Sequence, residues 1–326
     1  MKLKELADLL EGTLFGDGGF EIRGVGTQTK YREGDVIFIK KPKGDLSFPK
    51  TVALVVDREV NFPNYIKVKD VRLSLAKTLE AMYPEQHPEG ISDRAVIGVN
   101  VRIGEGVYIA PFTYVGKGVI LERGVKVYPF TYIGDNSYIG EDTIIFSGVN
   151  IYPNTVIGRR VRIHSGAVVG SDGFGYYIGK DFIKKLNHIG KVIIEDGVEI
   201  GANVCIDRAL IEETIIGKES KIDNLVQIAH NCKLGERNII AGQTGFAGSV
   251  ETGKGVVMGG QVGIADHIKI GDGVIISAKS GVTSDLEGGK TYSSTISAEE
   301  IHKWRRIQAV IKRLPELWKF FLRMIK

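Results

Sequence analysis

The stretch "VIGVNVRIGEGVYIAPFTYVGKGVIL", residues 96–121, places an aliphatic residue on every sixth position, at Ile97, Ile103, Ile109, Val115 and Leu121. The register continues without a gap through Val127, Ile133, Ile139, Ile145, Ile151, Ile157, Ile163 and Val169. It resumes at Ile194, Ile200 and Ile206, skips four residues, and runs again from Ile216 to Val282 with only Phe246 and Thr252 departing from an aliphatic. A small β-branched or apolar residue commonly stands two places earlier, and Gly, Asn or Asp fills the gaps. A fixed short period is the mark of a repeat architecture. This one predicts short strands joined by sharp corners, three strands to a triangular coil of 18 residues, with coils stacked at the ordinary strand spacing of about 4.8 Å. The expected fold is mainly β, a parallel β-helix of hexapeptide repeats with nine to ten coils. The 42 glycines suit a chain that needs many tight corners.

The flanks differ in pattern. Residues 1–90 combine a helix from Leu3 to Leu10, extended runs such as "DVIFI" and "TVALVV", and a second helix around Leu73 to Tyr83, so an N-terminal α/β domain is expected there. "YPEQHPEG" reads as the linker. The β-helix is expected over 91–285, and 286–326 as a C-terminal helical extension. In that extension Ser297 and Glu300 have capping-box spacing, and Pro315 starts or kinks a second helix. A solenoid exposes the backbone edge of its last coil, so caps at the two ends are required.

Composition narrows the function. The two cysteines, Cys205 and Cys232, form no CxxC pair and suggest neither a zinc site nor a disulfide framework, which fits a reducing compartment. No run approaches the roughly 18 apolar residues of a spanning helix. The start, "MKLKELADLLEG", has acids where a signal peptide has its apolar core. A cytoplasmic chain is expected. The net charge of +4 conceals an asymmetry, because residues 301–326 hold eight Lys/Arg against one Glu. Nothing in this balance implies a nucleic-acid partner.

Function must be sought in the exceptions to the repeat. "GSDGFGYYIGKDFIKKLNHIGK", residues 170–191, interrupts the period and is expected to project as a loop that touches a ligand or a neighbouring chain. His230 stands in "IDNLVQIAHNCKLG" with Asp223, Asn224, Gln227 and Asn231 around it, while His164 and His188 stay open at this stage. The 18-residue step serves as a ruler. It stacks Gly248 above His230, brings His267 two coils up and one residue along, and aligns Gly245, Gly263 and Gly281 in one column and Gly242, Gly260 and Ala278 in another. Columns without side chains make a groove, and a groove of that shape suits a straight, flexible ligand. A zinc site needs three or four close ligands, and neither His230 nor His267 has a second histidine nearby, so no metal is expected.

These residues carry a resemblance. "GSDGFGY", "GKVIIEDGVEIGANVCIDRA", "IDNLVQIAHNCKLG", the "AGS" of Gly248 and "YSS" before a basic Trp-containing helix resemble the UDP-3-O-(3-hydroxyacyl)glucosamine N-acyltransferases of lipid A biosynthesis, over nearly the whole chain. The resemblance implies a left-handed β-helix in a homotrimer with active sites between neighbouring chains. It also implies transfer of a 3-hydroxyacyl group from the phosphopantetheine of acyl carrier protein to the 2-amine of a UDP-sugar, with no bound cofactor. Carried over, His230 is the general base, Asp223 orients and polarises it, Gly248 supplies an oxyanion N–H, and His267 contacts substrate or donor. Asn224, Gln227 and Asn231 join the substrate-binding set.

The chemistry is consistent, since an amine attacking a thioester must lose a proton as an oxyanion forms. Cys232, two places before Leu234, is expected to be buried and not a nucleophile. Lys303, Arg305, Arg306, Lys312 and Arg313 are suited to steering an acidic carrier protein. The apolar residues of the last helix could pack a trimer or make a weak membrane-surface contact. One segment departs from the family pattern. Where the uridine-binding stretch typically reads Phe-Leu-x-Asn-Pro-Lys-Tyr, this chain has "FIKKPKG", which keeps Phe38, Pro42 and Lys43 but places Lys41 at the asparagine and Gly44 at the tyrosine. A β-helix acyltransferase acting on a UDP-sugar hydroxyl and a non-enzymatic scaffold remain the alternatives.

Overall fold

The computed structural model describes residues 1–43, 46–294 and 298–325. The chain divides into two compact units, Met1–His87 and Pro88–Lys326.

The first unit contains α1 (Leu3–Leu9), β1 (Thr13–Phe15), β2 (Gly24–Gly26), β3 (Asp35–Ile39), β4 (Ala53–Val56), β5 (Tyr65–Lys67) and α2 (Val71–Met82). Its sheet has the order β1-β5-β4-β3-β2, with β1 antiparallel to β5 and the remaining pairs parallel. The continuous apolar runs of β3 and β4 follow from burial on both faces. Val36 and Val55 pack with Leu3 and Leu6 on one side, while Ile37, Leu54 and Val56 pack with Tyr65 on the other. Helix α2 begins two residues before the expected start because the Asp70 side chain accepts from the N–H groups of Arg72 and Leu73.

In the second unit the period of six becomes three parallel sheets of ten, nine and eleven strands. Strands pair with those 18 residues away, as in Tyr114↔Tyr132 and Val115↔Ile133. The every-sixth aliphatics form one continuous core, in which Ile109, Ile133, Ile163, Ile200 and Ile228 have no exposed surface. The corners do not all rely on glycine. Asn154 and Asn231 take positive φ values of 64° and 61° at corners, as asparagine does more readily than most residues. Gly116 instead answers to close stacking, since a Cβ there would lie 2.7 Å from the backbone nitrogen of Asp135 in the next coil.

Three expectations need correction. The interruption at 170–191 is not irregular. It holds an antiparallel hairpin of Tyr176–Ile178 with Ile183–Lys185, clasped by a Lys185–Asp172 ion pair, before the chain rejoins the solenoid at Lys191–Ile194. The tract after Val282 also contributes a strand, Thr291–Tyr292, which pairs with Ile275–Ile276 and ends the eleven-stranded sheet. Finally, the C-terminal extension holds one helix, α3 (Ile301–Met324), which runs through Pro315. Proline removes one N–H donor without ending α3. The Glu300 side chain caps it by accepting from the N–H groups of His302 and Lys303. The expected capping residue Ser297, like Gly44 of the "FIKKPKG" segment, lies outside the described residues. No described helix is long and apolar enough to cross a membrane.

Candidate active site

His230 follows the strand Gln227–Ile228 at a corner of the prism, with its ring half-buried. Its Nδ1 lies 3.1 Å from Asn231 Oδ1. That oxygen also accepts from Leu210 N–H at 3.0 Å, and Asn231 Nδ2 donates to the Ile211 carbonyl at 3.0 Å, which fixes the amide orientation. The oxygen can only accept, so His230 Nδ1 carries the hydrogen and Nε2 presents a bare lone pair. The tautomer required of a base is therefore built into the corner.

Gly248 lies directly against this ring. A Cβ at 248 would come within 2.7 Å of His230 Cε1 and 2.9 Å of Nε2, and the backbone there needs no positive φ. The glycine is needed for close approach to the imidazole, with turn geometry playing no part. Its carbonyl accepts from His267 N–H at 3.0 Å, and Ser249 N–H donates to the His230 carbonyl at 2.9 Å, so the three coils are tied together at this corner. The Gly248 N–H has no hydrogen-bond partner among the described residues. His267 is exposed, at a positive φ of 58°.

Asp223 does not contact His230 within one chain. It sits at the preceding corner, where its carboxylate accepts from the N–H groups of Asn224 at 2.7 Å and Gly242 at 3.0 Å. Asn224 Oδ1 accepts from Ala202 N–H. A hollow of about 380 Å³ beside these residues is lined in part by His164, Gly201, Lys221, Asp223, Asn224 and Ala241, and His230 is not part of it. Asn231 is likewise committed to scaffolding, with both ends of its side-chain amide bonded to the chain.

One face of the prism joins these two corners. Down its middle run Gln227, Gly245, Gly263 and Gly281 in register. A Cβ at Gly245, Gly263 or Gly281 would meet nothing within 4 Å, so the expected strip is open. Gly242 and Gly260 flank it, where a Cβ would meet Asp223 Oδ2 at 3.1 Å and the Gly242 carbonyl at 3.3 Å. At its far end Gly281 N–H donates to Ser294 Oγ at 2.8 Å. The strip closes at Gln227, whose Nε2 donates to Asp207 at 3.0 Å.

Two neighbours of His230 escaped sequence reasoning. Asp207 is buried, accepts from Ser171 Oγ at 3.0 Å, and has its carboxyl pushed up by burial against the lowering effect of its hydrogen bonds and the nearby histidines. His188, at the end of the hairpin insert, stacks edge-on with His230 at 5.5 Å between ring centroids. The available signals were the four-residue skip after Ile206, beside Asp207, and the insert itself. Cys232 is buried as expected. Its thiol donates to the Ala247 carbonyl, and burial pushes it up to about 12, so it holds no thiolate for attack near neutral pH. No cluster of metal-ligating residues occurs among the described residues.

The other expected residues lie away from this corner. Phe38 is half-buried against the α1 side of its own unit's core, and Lys43 is exposed. On α3, Lys303 pairs with Glu299 and Arg313 with Glu316, and Arg305, Arg306 and Lys312 are exposed.

Known proteins resemble this chain in sequence and fold. The bacterial transferase hexapeptide model (six repeats) matches residues 100–135 and 136–171. UDP-3-O-acylglucosamine N-acyltransferase of Desulfotalea psychrophila is 47% identical over 96% of this chain and 93% of its own length. The enzyme of the same name from Syntrophotalea carbinolica is 48% identical over 97% and 94%. Among solved structures, the Arabidopsis UDP-N-acetylglucosamine acyltransferase superposes with a TM-score of 0.53 at 27% identity, over 67% of this chain and 76% of that one. The Francisella novicida enzyme gives 0.51 at 25%, over 63% and 67%. The solenoid is thus shared with acyltransferases of differing acceptors, while these two relatives match along nearly the full length: this chain belongs to the UDP-3-O-acylglucosamine N-acyltransferase family.

Proposed function

We propose that this enzyme transfers a 3-hydroxyacyl group from acyl carrier protein to the 2-amine of UDP-3-O-acylglucosamine, with His230 as general base. The observation that carries the reading is the pairing of a bare His230 Nε2 with an unpartnered Gly248 N–H at one corner. The amine nitrogen attacks the thioester carbonyl and its proton passes to Nε2. The carbonyl oxygen becomes an oxyanion facing the Gly248 N–H. The tetrahedral intermediate then collapses, the C–S bond breaks, and the imidazolium returns the proton to the departing thiolate. A base contributes about 10² to 10⁴ and an oxyanion donor about 10² to 10³ in rate.

The open strip of Gly245, Gly263 and Gly281 is the proposed acyl groove, with Gly242 and Gly260 along its margin. Gly281 leaves room for a long chain. The proposed assembly is a homotrimer, whose packing would bring the Asp223–Asn224 corner of one chain toward His230 of another and so restore the role that one chain alone does not give Asp223. His267, two coils above the base, is placed for substrate or donor contact. Phe38 and Lys43 remain the proposed uridine contacts. The basic residues of α3 provide a positive surface for an acidic carrier protein. His230→Ala tests the reading directly. Mass spectrometry should find N-acylated product with the wild type and a loss of about 10² to 10⁴ in rate for the variant. A variant as fast as the wild type would remove His230 from the mechanism, and product acylated on oxygen would favour a hydroxyl acceptor.

A further inference from the structure

His188 Nε2 is the one buried side-chain nitrogen or oxygen without a hydrogen-bond partner among the described residues. The residue is 6% exposed, and its ring stands edge-on to His230. Its Nδ1 lies 3.0 Å from the Leu186 carbonyl oxygen, which can only accept, so Nδ1 carries the hydrogen and Nε2 of the neutral ring is an acceptor. Burying an acceptor with nothing to accept is unfavourable. The unused lone pair therefore calls for a donor from outside the chain.

The cover over this nitrogen is thin. A Cβ on Gly173 would lie 2.9 Å from His188 Nε2 and 2.7 Å from His230 Cδ2, and one on Gly175 would lie 2.8 Å from His188 Cε1. Neither glycine needs a positive φ, so both are glycine for closeness to the two rings. Between them Phe174 is 85% exposed, with an edge contact to the Tyr176 ring. A three-residue segment with little holding its middle residue thus roofs an unused acceptor next to the base. Asp207 faces both imidazoles from the solenoid side, and Asp172, Lys185 and Arg208 bear on the insert side.

We propose that His188 Nε2 is a substrate-binding acceptor, uncovered when the Gly173–Gly175 segment lifts, and that it takes a hydrogen bond from an N–H or O–H group of the acyl-accepting sugar as that sugar docks beside His230. The inference rests on the N-acyltransferase reading. Its test compares the full-length wild type with His188→Phe and His188→Gln. UDP-3-O-acylglucosamine is titrated alone by calorimetry, and turnover is then measured with saturating acyl carrier protein thioester. The phenylalanine keeps an aromatic ring and removes the acceptor, so a variant whose circular dichroism is that of the wild type should lose about three- to tenfold in affinity for the sugar nucleotide. The glutamine restores an acceptor and should recover to within about threefold of wild type. A His188→Phe enzyme that binds and turns over like the wild type would overturn the proposal, as would equal impairment of both variants. If the wild type neither binds the sugar nucleotide nor forms N-acylated product from it with the carrier-protein thioester, the N-acyltransferase reading falls and takes this inference with it, so the two failures are told apart.

Discussion

The lower and upper coils of the ten-stranded sheet share a backbone and differ in what they point outward. The same outward column reads Val96, Tyr114, Tyr132, Asn150, Val168 and Cys205 in the lower coils, then Gln227, Gly245, Gly263 and Gly281 in the upper ones. Below, Tyr114 and Tyr132 stack with centroids 5.4 Å apart and cover the face. Above, three successive glycines leave it bare. The inward column stays apolar throughout, from Ile97 to Val282. Fold and function are therefore written on alternate residues of the same strands, because successive side chains point to opposite faces. The inward set holds the coils together, which leaves the outward set free to carry the proposed groove.

That separation predicts effects of very different kinds. The largest belongs to the inward column. Ile228 has no exposed surface and lies two residues from His230, so Ile228→Asp buries an unpaired carboxylate and should cost more than about 4 kcal/mol. Loss of the cooperative thermal transition would show it, and a folded, active Ile228→Asp enzyme would break the division between the two columns. Next comes the reaction corner. Gly248→Ala places a methyl against the His230 ring and pushes the base out of line, so kcat should fall by about 10² while circular dichroism stays that of the wild type. A fall in Tm large enough to account for the lost activity would instead make Gly248 a packing residue.

The same division explains what was legible in the sequence. The inward repeat is periodic, so the coil, its 18-residue register and the glycine strip could be read before any geometry was known. So could the placing of Gly248 over His230, because stacking follows from counting. Pairings across the repeat could not be counted. Asp223 and His230 are seven residues apart in sequence, which puts them at successive corners and not side by side. Within one chain the Nδ1 partner is the adjacent Asn231, and that contact depends on a side-chain amide held by Leu210 and Ile211 in the four-residue skip. His188 and Asp207 were hidden for the same reason, since one arrives through an inserted hairpin and the other lies beside the skip, where the ruler gives no position. Pro315 misled in the opposite direction, because local propensity marked a break that α3 does not make.

The smallest effect on stability, and the sharpest test of the comparison, comes from refilling the bare column. Gly263 pairs with Gly245 on one side and Gly281 on the other, needs no positive φ, and would direct a side chain into open space. Gly263→Leu should therefore fold normally, with Tm within about 3 °C of wild type, since an exposed substitution with no strain changes stability by only about 0.5 kcal/mol. It would also bring this coil closer to the covered state of Tyr114 and Tyr132. If the strip holds the acyl chain, long donors lose their path. Their kcat/KM should fall about tenfold or more against a short donor, as expected when several methylenes worth about 0.8 kcal/mol each are displaced. An equal fall for long and short donors would place the acyl chain elsewhere. The open column would then have to be explained by what packs on that face, and the bareness of the upper coils would be a property of assembly instead of catalysis.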